Sequence, residues 1–560
     1  MKRLPKTEVV IIGLGAAGGI AAHVLTEAGR NVVAIEVGDD LSSARFIKEM
    51  DEIAGNGGTN HMGEPLVNRS VPTWRPNEQT LAGDPLRPAL TMNGVGGSSV
   101  HYGGVSWRLY PDDFTIRTST IERYGEKALP EGSAVVDWPF TYDDLEPWYD
   151  KVEYAIGVSG EASNPFDPPR SRPYPMPPLR RKGWNLFAHE KLKALGLHPF
   201  PQPTAINSEP YGGRPACSYC GYCSGYGCWN DSKGSTLVTT IPLARATGKL
   251  EIRTRARVTR ILIDAEGKAS GVRYIDVQGQ ECEQPAAIVI LSAFVYENVR
   301  RLLLSTSEKF PNGLANNAGQ VGKYFITQAY TIVNGQYDDV DVKAFTGAGA
   351  QGTAFEDYYG DNFDHSGLGF IRGANIATFS ESRPIGGALA RPPHVPSWGP
   401  GFKQWLSKDI RSVQGIAAQM EVLPYHGNYL DLDPQKKDDI GEPVIRATFD
   451  HYDNEHRMRD FLEGKLTAIH KAMGASHVWT AVRAPAAAVF VHTYGGTRMG
   501  KDPKTSVVDE YCMAHEVPNL AIMGSSPFPS SGGRNPTETI QAISWRAADY
   551  IARNFDRLAS

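Results

Sequence analysis

The sequence predicts an α/β protein in which a domain built on a parallel sheet is joined to an α+β domain with an antiparallel sheet. Residues 9–36 place an apolar strand, a glycine turn, an alanine-rich helix and a second strand in succession. Residues 288–304 repeat the order of buried strand and helix. Residues 325–478 change to short strand-like pieces with aromatic and glycine-rich turns, which is typical of an antiparallel sheet.

The first of these segments reads VVIIGLGAAGGIAAHVLTEAGRNVVAIE. Gly13 allows a tight turn, Gly15 allows a pyrophosphate to approach the backbone at the helix N-terminus, and Gly18 allows close packing of helix and strand. Glu36 ends the second strand, where an acid accepts hydrogen bonds from a ribose. The segment predicts a bound adenine dinucleotide without a 2′-phosphate, which Glu36 would repel. The alternative is a glycine turn of purely structural use.

Composition and charge narrow the class of protein. The chain has 560 residues, 41% hydrophobic and 21% charged, which at roughly 100 to 200 residues a domain is enough for two or more domains. The formal net charge of -5 gives no electrostatic reason to expect nucleic acid. No run approaches the roughly 18 apolar residues of a membrane span, and residues 1–6 lead straight into the first strand. We therefore expect neither a transmembrane segment nor an export signal.

A second glycine cluster follows a long irregular stretch. Residues 38–93 have many Gly, Pro, Asn and Asp residues without periodicity, which predicts an excursion over the ligand. Residues 93–104 then read NGVGGSSVHYGG. Backbone of this kind can approach a flat or anionic ligand closely, and the alternative is a mobile loop.

Two other segments differ in predicted helix content. Residues 113–184 are rich in proline and aromatic residues, which predicts an extended surface connection, a linker or a lid, without regular helix. Residues 455–473 have apolar side chains at helical spacing. We assign the methionines of that helix to the core and its histidines, His456 and His470, to the surface.

Four of the six cysteines fall within twelve residues at the spacing C-x2-C-x2-C-x4-C: Cys217, Cys220, Cys223 and Cys228. Three interpretations fit this loop, namely an iron–sulfur cluster, a structural zinc site and two local disulfides. A tight run of C-x2-C-x2-C favours the cluster, because zinc sites usually pair two C-x2-C knuckles across a longer gap. Cys282 and Cys512 are isolated, and we predict a buried reduced thiol at each.

Four separated motifs together resemble those of the glucose-methanol-choline (GMC) oxidoreductase family of flavoproteins. They are the fingerprint at residues 9–36, the GGSS loop at 96–99, the HTYGGTRMG segment at 492–500 and the NPT segment at 535–537. The resemblance covers nearly the whole chain. It implies the fold of that family, with a Rossmann-like FAD-binding domain and an α+β substrate domain.

The resemblance also implies boundaries along the chain. The FAD-binding domain comprises residues 1–150, 205–324 with the cysteine loop, and 479–560 with the catalytic segment. Residues 151–204 are the proline-rich connection, and residues 325–478 are the substrate domain.

In this family the dinucleotide is FAD, and the resemblance places further residues around it. The ring lies beside Gly96, Gly97 and Ser98, the adenine lies near Val258, and the last motif contributes Asn535, Pro536 and Thr537. His101 sits four positions after Gly97, the offset at which some members attach FAD covalently. The alternative is a histidine that only packs on the flavin.

One departure from the family concerns the residues after the strand at 288–291. Members commonly have small residues there, whereas this chain has Phe294 and Val295. The two bulky side chains put the local approach to the dinucleotide in doubt.

A bacterial subgroup of sugar dehydrogenases in this family has a cysteine-rich insertion near the same place. In several the cluster is of the three-iron type with three cysteine ligands. The resemblance therefore implies an iron–sulfur cluster, 3Fe-4S rather than 4Fe-4S. Cys217, Cys220 and Cys223 are its expected ligands, and Cys228 is the candidate for the cysteine left free.

The catalytic residues expected from the resemblance are His492 and Asn535. Hydride transfer from an alcohol needs a base for the hydroxyl proton, and histidine titrates in the useful range. His492 lies seven residues before Met499, which matches the catalytic histidine motif of the family. Asn535 matches the second catalytic position, where its amide could orient the substrate hydroxyl.

The expected activity is therefore oxidation of a sugar or glycoside hydroxyl to a carbonyl. Hydride passes to flavin N5, and electrons leave through the cysteine-bound cluster to an external acceptor, cytochrome c or a quinone. The resemblance implies a small partner subunit that carries an export signal, and hence a periplasmic enzyme, the alternative being the cytoplasm. Two other classes stay open, an oxygen-using oxidase with a structural zinc site and a flavin-binding subunit that serves assembly. Oxidation at C1 of an aldose, at C2 of an aldonate or at C3 of a glycoside is equally compatible with His492 and Asn535.

Overall fold

The parallel sheet predicted from the glycine fingerprint is present in the structure, a computed structural model that describes residues 1–46, 50–52, 71–84, 92–338, 340–342, 345–378, 382–483 and 492–560. In spatial order its strands are Met513–Ala514, Val517–Ile522, Glu281–Leu291, Thr7–Ile12, Val32–Ile35 and Leu250–Arg253. From the second strand onward neighbours are parallel. Strands from both ends of the chain therefore meet in one sheet.

Burial explains why the first strand lies at the centre. The side chains of Val9, Val10 and Ile11 are 0% exposed, as expected where helices cover a parallel sheet. Burying each such side chain stabilises the fold by about 1.5 to 3 kcal/mol. Helix Ala16–Glu27 packs against helices Thr240–Ala246 and Thr537–Arg553. The closing helix is thus part of the first domain, as predicted.

Smaller strands extend this sheet. Lys2–Arg3 pairs in parallel with Glu281–Leu291. Arg257–Ile263 pairs with Ala269–Ile275, which in turn pairs with Glu281–Leu291, and both pairings are antiparallel.

The second domain contains the expected antiparallel sheet. Its strands, in spatial order, are His477–Arg483, Ala329–Gln336, Val413–Met420, Ala374–Thr378, Thr353–Phe355 and Phe200–Pro201. Tyr429–Lys437 and Pro443–Thr448 form a further antiparallel pair, and Thr73–Arg75 adds to it in parallel. Two short strands pair antiparallel: Ile326–Thr327, at the start of the segment 325–478, and Thr493–Tyr494, in the last segment, 479–560.

The remaining helices of the described residues are mostly short. The α-helices are Ser43–Phe46, Pro111–Phe114, Ile116–Tyr124, Tyr142–Ile156, Gly183–Ala194, Phe294–Leu304, Pro384–Leu389, Pro400–Lys408, Asp453–Ala472 and Phe555–Ala559. The 3-10 turns are Gly97–Val100, Glu126–Ala128 and Ile410–Ser412. The predicted irregular stretch 38–93 lies partly outside the described residues. Its described part includes a helical turn at Ser43–Phe46 and the strand Thr73–Arg75.

The prediction that residues 113–184 contain no regular helix is wrong. Tyr142–Ile156 is a 15-residue helix, although Pro147 lies inside it. Thr141 caps its start: the Thr141 N–H donates to Asp144 Oδ2 at 2.9 Å, and the Asp144 N–H donates to Thr141 Oγ1 at 3.4 Å. Two satisfied backbone donors favour a helix start here. The prolines between 164 and 178 lie beyond the helix.

The helix predicted at 455–473 is confirmed as Asp453–Ala472, but the surface position predicted for His470 is wrong. His470 is 0% exposed. Its Nδ1 lies 2.6 Å from the Tyr337 hydroxyl and its Nε2 lies 2.9 Å from the Val333 carbonyl oxygen. Both ring nitrogens are therefore satisfied inside the core, which removes the cost of burying them.

Candidate functional site

The first glycine turn packs as the fingerprint predicts. Gly13 has φ +85, and a Cβ there would lie 2.8 Å from the Ser292 carbonyl oxygen. A Cβ on Gly18 would lie 2.1 Å from the Gly13 carbonyl oxygen. Both positions exclude a side chain, so the turn and the helix N-terminus stay close to the strand ends. The backbone at Gly15 opens onto a cavity of about 650 Å³.

The second glycine cluster lies against the first. Gly96 has φ +96 and Gly97 has φ +55, and a Cβ on Gly97 would lie 2.8 Å from the Cα of Gly15. Ser98 and His101 follow on the same cavity wall. The structure thus brings together the two glycine motifs that the sequence separates by about 80 residues. Within this cluster, Gly97–Val100 forms a 3-10 turn.

Glu36 forms another part of the wall. Its side chain is 4% exposed, and its two carboxylate oxygens accept from the Leu14 N–H at 2.9 Å and the Gly38 N–H at 3.0 Å. Burial raises the pKa of this carboxyl, while the backbone N–H groups act in the opposite direction. The acid is therefore fixed beside the glycine turn. Val258, on strand Arg257–Ile263, also lines the cavity.

Phe294 and Val295 do not close the cavity. Val295 is 0% exposed in the core, and Phe294, the first residue of helix Phe294–Leu304, contributes to the cavity wall. Phe294 has φ +75, an uncommon conformation for a bulky residue. The departure from the family pattern is thus a lining side chain and not an obstruction of the whole site.

His492 and Asn535 meet at the same cavity. His492 immediately precedes the short strand Thr493–Tyr494, and Asn535 lies two residues before helix Thr537–Arg553. Asn535 Nδ2 lies 3.3 Å from His492 Nε2, and both side chains line the cavity. His492 has φ +52, the kind of backbone strain that concentrates at functional sites. Pro536 and Thr537 line the cavity with them.

The surroundings keep the His492 ring neutral. Burial lowers the pKa of His492 to about 4, because the charged imidazolium loses hydration in the protein interior. At neutral pH the ring therefore has a free nitrogen lone pair. A group of this kind can accept a proton from a hydroxyl beside it.

Two contacts of His492, and a third residue behind them, were missed by sequence reasoning. Its Nδ1 lies 2.8 Å from Gln328 Oε1 and 2.9 Å from the Tyr330 hydroxyl. The Tyr330 hydroxyl donates to Gln419 Oε1 at 2.9 Å. No local motif marks these residues in the sequence. Gln328 is placed opposite His492 by the pairing of Ile326–Thr327 with Thr493–Tyr494. Sequence periodicity does not predict this long-range pairing.

A buried ion pair supports the segment that carries Asn535. Arg534 is 1% exposed, and its Nε donates to Glu356 Oε1 at 2.8 Å. Its guanidinium lies 3.9 Å from the centre of the Tyr110 ring. Breaking a buried pair of this kind typically costs about 3 to 5 kcal/mol, so the segment is firmly held.

The cysteine loop lies against the second glycine cluster. The Gly225 N–H donates to the His101 carbonyl oxygen at 2.8 Å, and Ser224 and Gly225 line the same cavity. Lys233, only 2% exposed, joins the two loops. Its Nζ donates to the carbonyl oxygens of Tyr102 at 2.8 Å and Cys223 at 2.9 Å.

None of the six cysteines, all within the described residues, forms a disulfide. Cys282 and Cys512 are buried, as predicted, and the interpretation as two local disulfides has no support in the structure. Burial, with the neighbouring Cys228 and Cys220, raises the pKa of Cys217 to about 11. Within the described part of the chain, no set of three or more His, Cys, Asp or Glu side chains is arranged to hold a metal ion. The structure therefore shows thiol neighbours without a preformed metal site.

Comparison with known proteins decides the family. Residues 208–322 match the N-terminal and residues 424–544 the C-terminal model of the GMC oxidoreductases. The chain is 35% identical over 586 residues to the gluconate 2-dehydrogenase flavoprotein of Pantoea cypripedii, covering 99% of this chain and 94% of the relative.

The chain belongs to the GMC oxidoreductase family.

Two other relatives of this GMC protein are also similar over nearly their full length. A 2-methyl-1,2-propanediol dehydrogenase of Mycolicibacterium austroafricanum is 30% identical, covering 98% of this chain and 96% of the relative. The large subunit of fructose dehydrogenase from Gluconobacter japonicus is 28% identical, with 97% of each chain covered. The GMC protein is thus an enzyme, an oxidoreductase, and its predicted fold class is confirmed.

The family assignment supports FAD as the cofactor of this GMC protein, and the cavity fits such a group. Gly13, Gly15 and Gly97 line the cavity without a side chain, and the helix Ala16–Glu27 begins beside them, where phosphates bind readily. Among the described helices, none has the length and apolarity required to cross a bilayer.

Proposed function

We propose that this protein is an FAD-dependent dehydrogenase that oxidises a hydroxyl of a sugar or glycoside to a carbonyl. The observation that carries the proposal is the contact of 3.3 Å between Asn535 Nδ2 and His492 Nε2, in the cavity that the two glycine turns also line. A neutral base and an amide placed side by side can hold one hydroxyl between them.

The reaction assigns one role to each side chain. When bound, the flavin supplies the hydride acceptor at N5. His492 takes the hydroxyl proton as the C–H bond breaks, and the hydride carries the two electrons away from carbon. Asn535 holds the hydroxyl oxygen so that its proton points to the ring nitrogen. The alcohol thus loses one proton to His492 and one hydride to the flavin, and becomes the carbonyl product.

The remaining site residues are assigned to the cofactor. Gly13, Gly15 and Gly18 are proposed to hold the pyrophosphate and Glu36 the ribose, while Val258 lies near the adenine. Gly96, Gly97, Ser98, Pro536 and Thr537 are proposed to surround the flavin ring. The support is that most of these residues line one cavity, while Gly18 and Gly96 lie next to lining residues.

The sugar is the substrate class that the relatives favour. Of the three described above, one is named for the sugar fructose, one for the aldonate gluconate and the third for a small diol. The test is anaerobic addition of D-glucose, D-gluconate, methyl α-D-glucoside or 2-methyl-1,2-propanediol to the purified protein, with the flavin absorbance as readout. Bleaching by one of the sugars is expected. Bleaching by the diol alone would contradict the sugar assignment.

His101 is proposed to be the attachment point if the FAD is covalent. Its side chain is 7% exposed and lines the cavity together with Gly97 and Ser98, which are proposed to surround the ring. Denaturation in acid separates the alternatives, because covalent flavin stays with the protein pellet. Flavin that stays in wild type but is released from His101→Ala supports the link. Flavin released from both leaves the packing role.

The cysteine loop is proposed to hold an iron–sulfur cluster of the 3Fe-4S type, with Cys217, Cys220 and Cys223 as ligands and Cys228 as the fourth candidate. The support is the donor chemistry of free thiols in a loop that contacts the cavity wall at His101. When bound, the cluster would take electrons singly from the reduced flavin for cytochrome c or a quinone. Iron content and the electron paramagnetic resonance spectrum test it. Zinc in the protein with hydrogen peroxide formed in proportion to product would instead establish an oxidase.

The same proposal includes a partner. A small subunit with an export signal would carry this chain to the periplasm, and the name of the fructose dehydrogenase relative, a large subunit, supports a heteromer. Fractionation of cells that express both chains tests it. Recovery of this chain in the cytoplasm even with the partner present would contradict export.

A further inference from the structure

The imidazole of His492 has different partners at its two nitrogens. On one side, Nδ1 lies 2.8 Å from Gln328 Oε1 and 2.9 Å from the Tyr330 hydroxyl oxygen. On the other side, Nε2 lies 3.3 Å from Asn535 Nδ2 and faces the cavity. A neutral ring has one N–H, so these partners decide which nitrogen bears the proton.

The amide of Gln328 can have only one orientation. Its Nε2 donates to the carbonyl oxygens of Gly532 at 2.7 Å and Arg534 at 2.9 Å. Both N–H groups are therefore used, and the atom at His492 has to be Oε1. Because an amide oxygen only accepts hydrogen bonds, the His492 Nδ1 beside it has to be the donor.

The hydroxyl of Tyr330 is oriented in the same sense. Its proton is donated to Gln419 Oε1 at 2.9 Å, and Gln419 Nε2 donates to the Gly533 carbonyl oxygen at 3.3 Å. Tyr330 and Gln419 are direct cross-strand partners in the antiparallel sheet. The hydroxyl has a single proton, so its oxygen is an acceptor toward His492 Nδ1.

We propose that Gln328 is a positioning residue, assisted by Tyr330 and Gln419, which holds His492 in the tautomer with the proton on Nδ1 and the lone pair on Nε2. This inference rests on the proposed function, in which Nε2 is the base. Both glutamines bind carbonyl oxygens of residues 532–534, the segment that leads into Asn535. One network therefore sets the tautomer of the base and the position of its amide partner.

The two acceptors at His492 Nδ1, Gln328 and Tyr330, are neutral. The site therefore differs from one in which a carboxylate accepts the hydrogen bond from the imidazole. Tyr330 is the titratable side chain in contact with His492, and Arg534 is paired with Glu356 behind the segment of Asn535. Within the described residues, burial is the cause that shifts the pKa of His492. A neutral acceptor orients the ring without stabilising its charged form, so the base stays unprotonated at neutral pH.

The first test is the tautomer itself. Protein labelled with ¹⁵N-histidine is examined by long-range ¹H–¹⁵N correlation at pH 7, and the His492 signals are identified as those lost in His492→Asn. The inference predicts a protonated Nδ1 and an unprotonated Nε2. A protonated Nε2 would overturn it, whatever the activity of the protein.

The second test separates positioning from a structural role. Gln328→Glu places a negative charge beside His492 Nδ1 and should raise the pKa of the ring. With the most active of the sugars named above, the acid limb of the pH profile for flavin reduction should therefore move up by about one to three pH units. Gln328→Met has similar length without an acceptor and should slow reduction roughly tenfold to a hundredfold without that shift. Tyr330→Phe keeps Gln328 and should slow it less. Equal losses in Gln328→Glu and Gln328→Met with no shift would overturn the inference.

The two proposals fail in different ways. His492→Asn that still reduces the flavin at the wild-type rate contradicts the function. A large loss in His492→Asn, combined with the wrong tautomer in wild type, leaves the function intact and overturns only the positioning role. The tautomer measurement needs no Gln328 variant, so it stands even if those variants fail to fold.

Discussion

Gly97 faces Gly15 so closely that a Cβ on Gly97 would lie 2.8 Å from the Cα of Gly15. This contact joins the N-terminal fingerprint to the second glycine cluster, and at these two positions only backbone lines the cavity. Parts of the chain that are far apart in sequence thereby share one binding wall.

Gly97→Ala should abolish FAD binding. The methyl group would meet the backbone of Gly15 and also force alanine into φ +55. The measurement is the flavin absorbance that copurifies with the protein. Gly29→Ala is the matched control, because Gly29 has φ +85 but nothing within 4 Å of its Cβ position. It should cost about 1 to 2 kcal/mol of stability and retain FAD; equal flavin content in both variants would contradict the role of the contact.

Lys233→Met should loosen the cysteine loop. The substitution leaves the carbonyl oxygens of Tyr102, Cys223 and Tyr226 without their shared donor, and each unsatisfied buried group costs about 1 to 3 kcal/mol. We expect a lower Tm and at least about tenfold faster labelling of the buried Cys223 thiol, located by mass spectrometry. The exposed Lys193→Met is the control and should change neither. Unchanged labelling in Lys233→Met would show that the lysine does not hold the loop.

His470 should make stability depend on pH. Burial lowers the pKa of His470 to about 4, below the roughly 6.5 of an unfolded histidine. Between these values the unfolded chain binds a proton that the folded chain does not, so the stability of the fold falls as pH decreases from 6.5 toward 4. The drop in Tm between pH 7 and pH 5 should therefore be smaller in His470→Gln than in wild type. The exposed His477→Gln should keep the wild-type drop, and a full drop in His470→Gln would refute the assignment.

The fingerprint at residues 9–36 is predictable because its structure depends on residues that are close together in the sequence. Strand, turn and helix at residues 9–36 follow from apolar runs and from glycines that tolerate positive φ, and the structure has them at Thr7–Ile12 and Ala16–Glu27. The placement of His492 beside Asn535 came from motif resemblance, and the structure brings the two together.

Errors arose where one local rule competed with another. Proline density predicts irregular structure for residues 113–184, whereas the spacing of the buried Leu145, Tyr149, Val152 and Ile156 marks the helix Tyr142–Ile156. His470 was assigned to the surface by polarity, although it follows Leu466 by four residues on the same helical face.

The network around His492 could not be predicted from local pattern. Gln328 reaches it through a two-residue strand pair, and Gln419 reaches Tyr330 through the register of the antiparallel sheet. Both depend on long-range pairing, for which residue spacing carries no signal. The contact of the cysteine loop with His101 is of the same kind.

The most direct test of the central claim is the rate of flavin reduction in anaerobic rapid mixing, comparing wild type with His492→Ala on the sugar that bleaches the flavin. The variant should retain its FAD and lose about two to four orders of magnitude in rate, because it lacks the proposed base for the hydroxyl proton. A variant that holds FAD and is reduced at the wild-type rate would contradict the assignment of His492 as the base, and with it the proposed reaction.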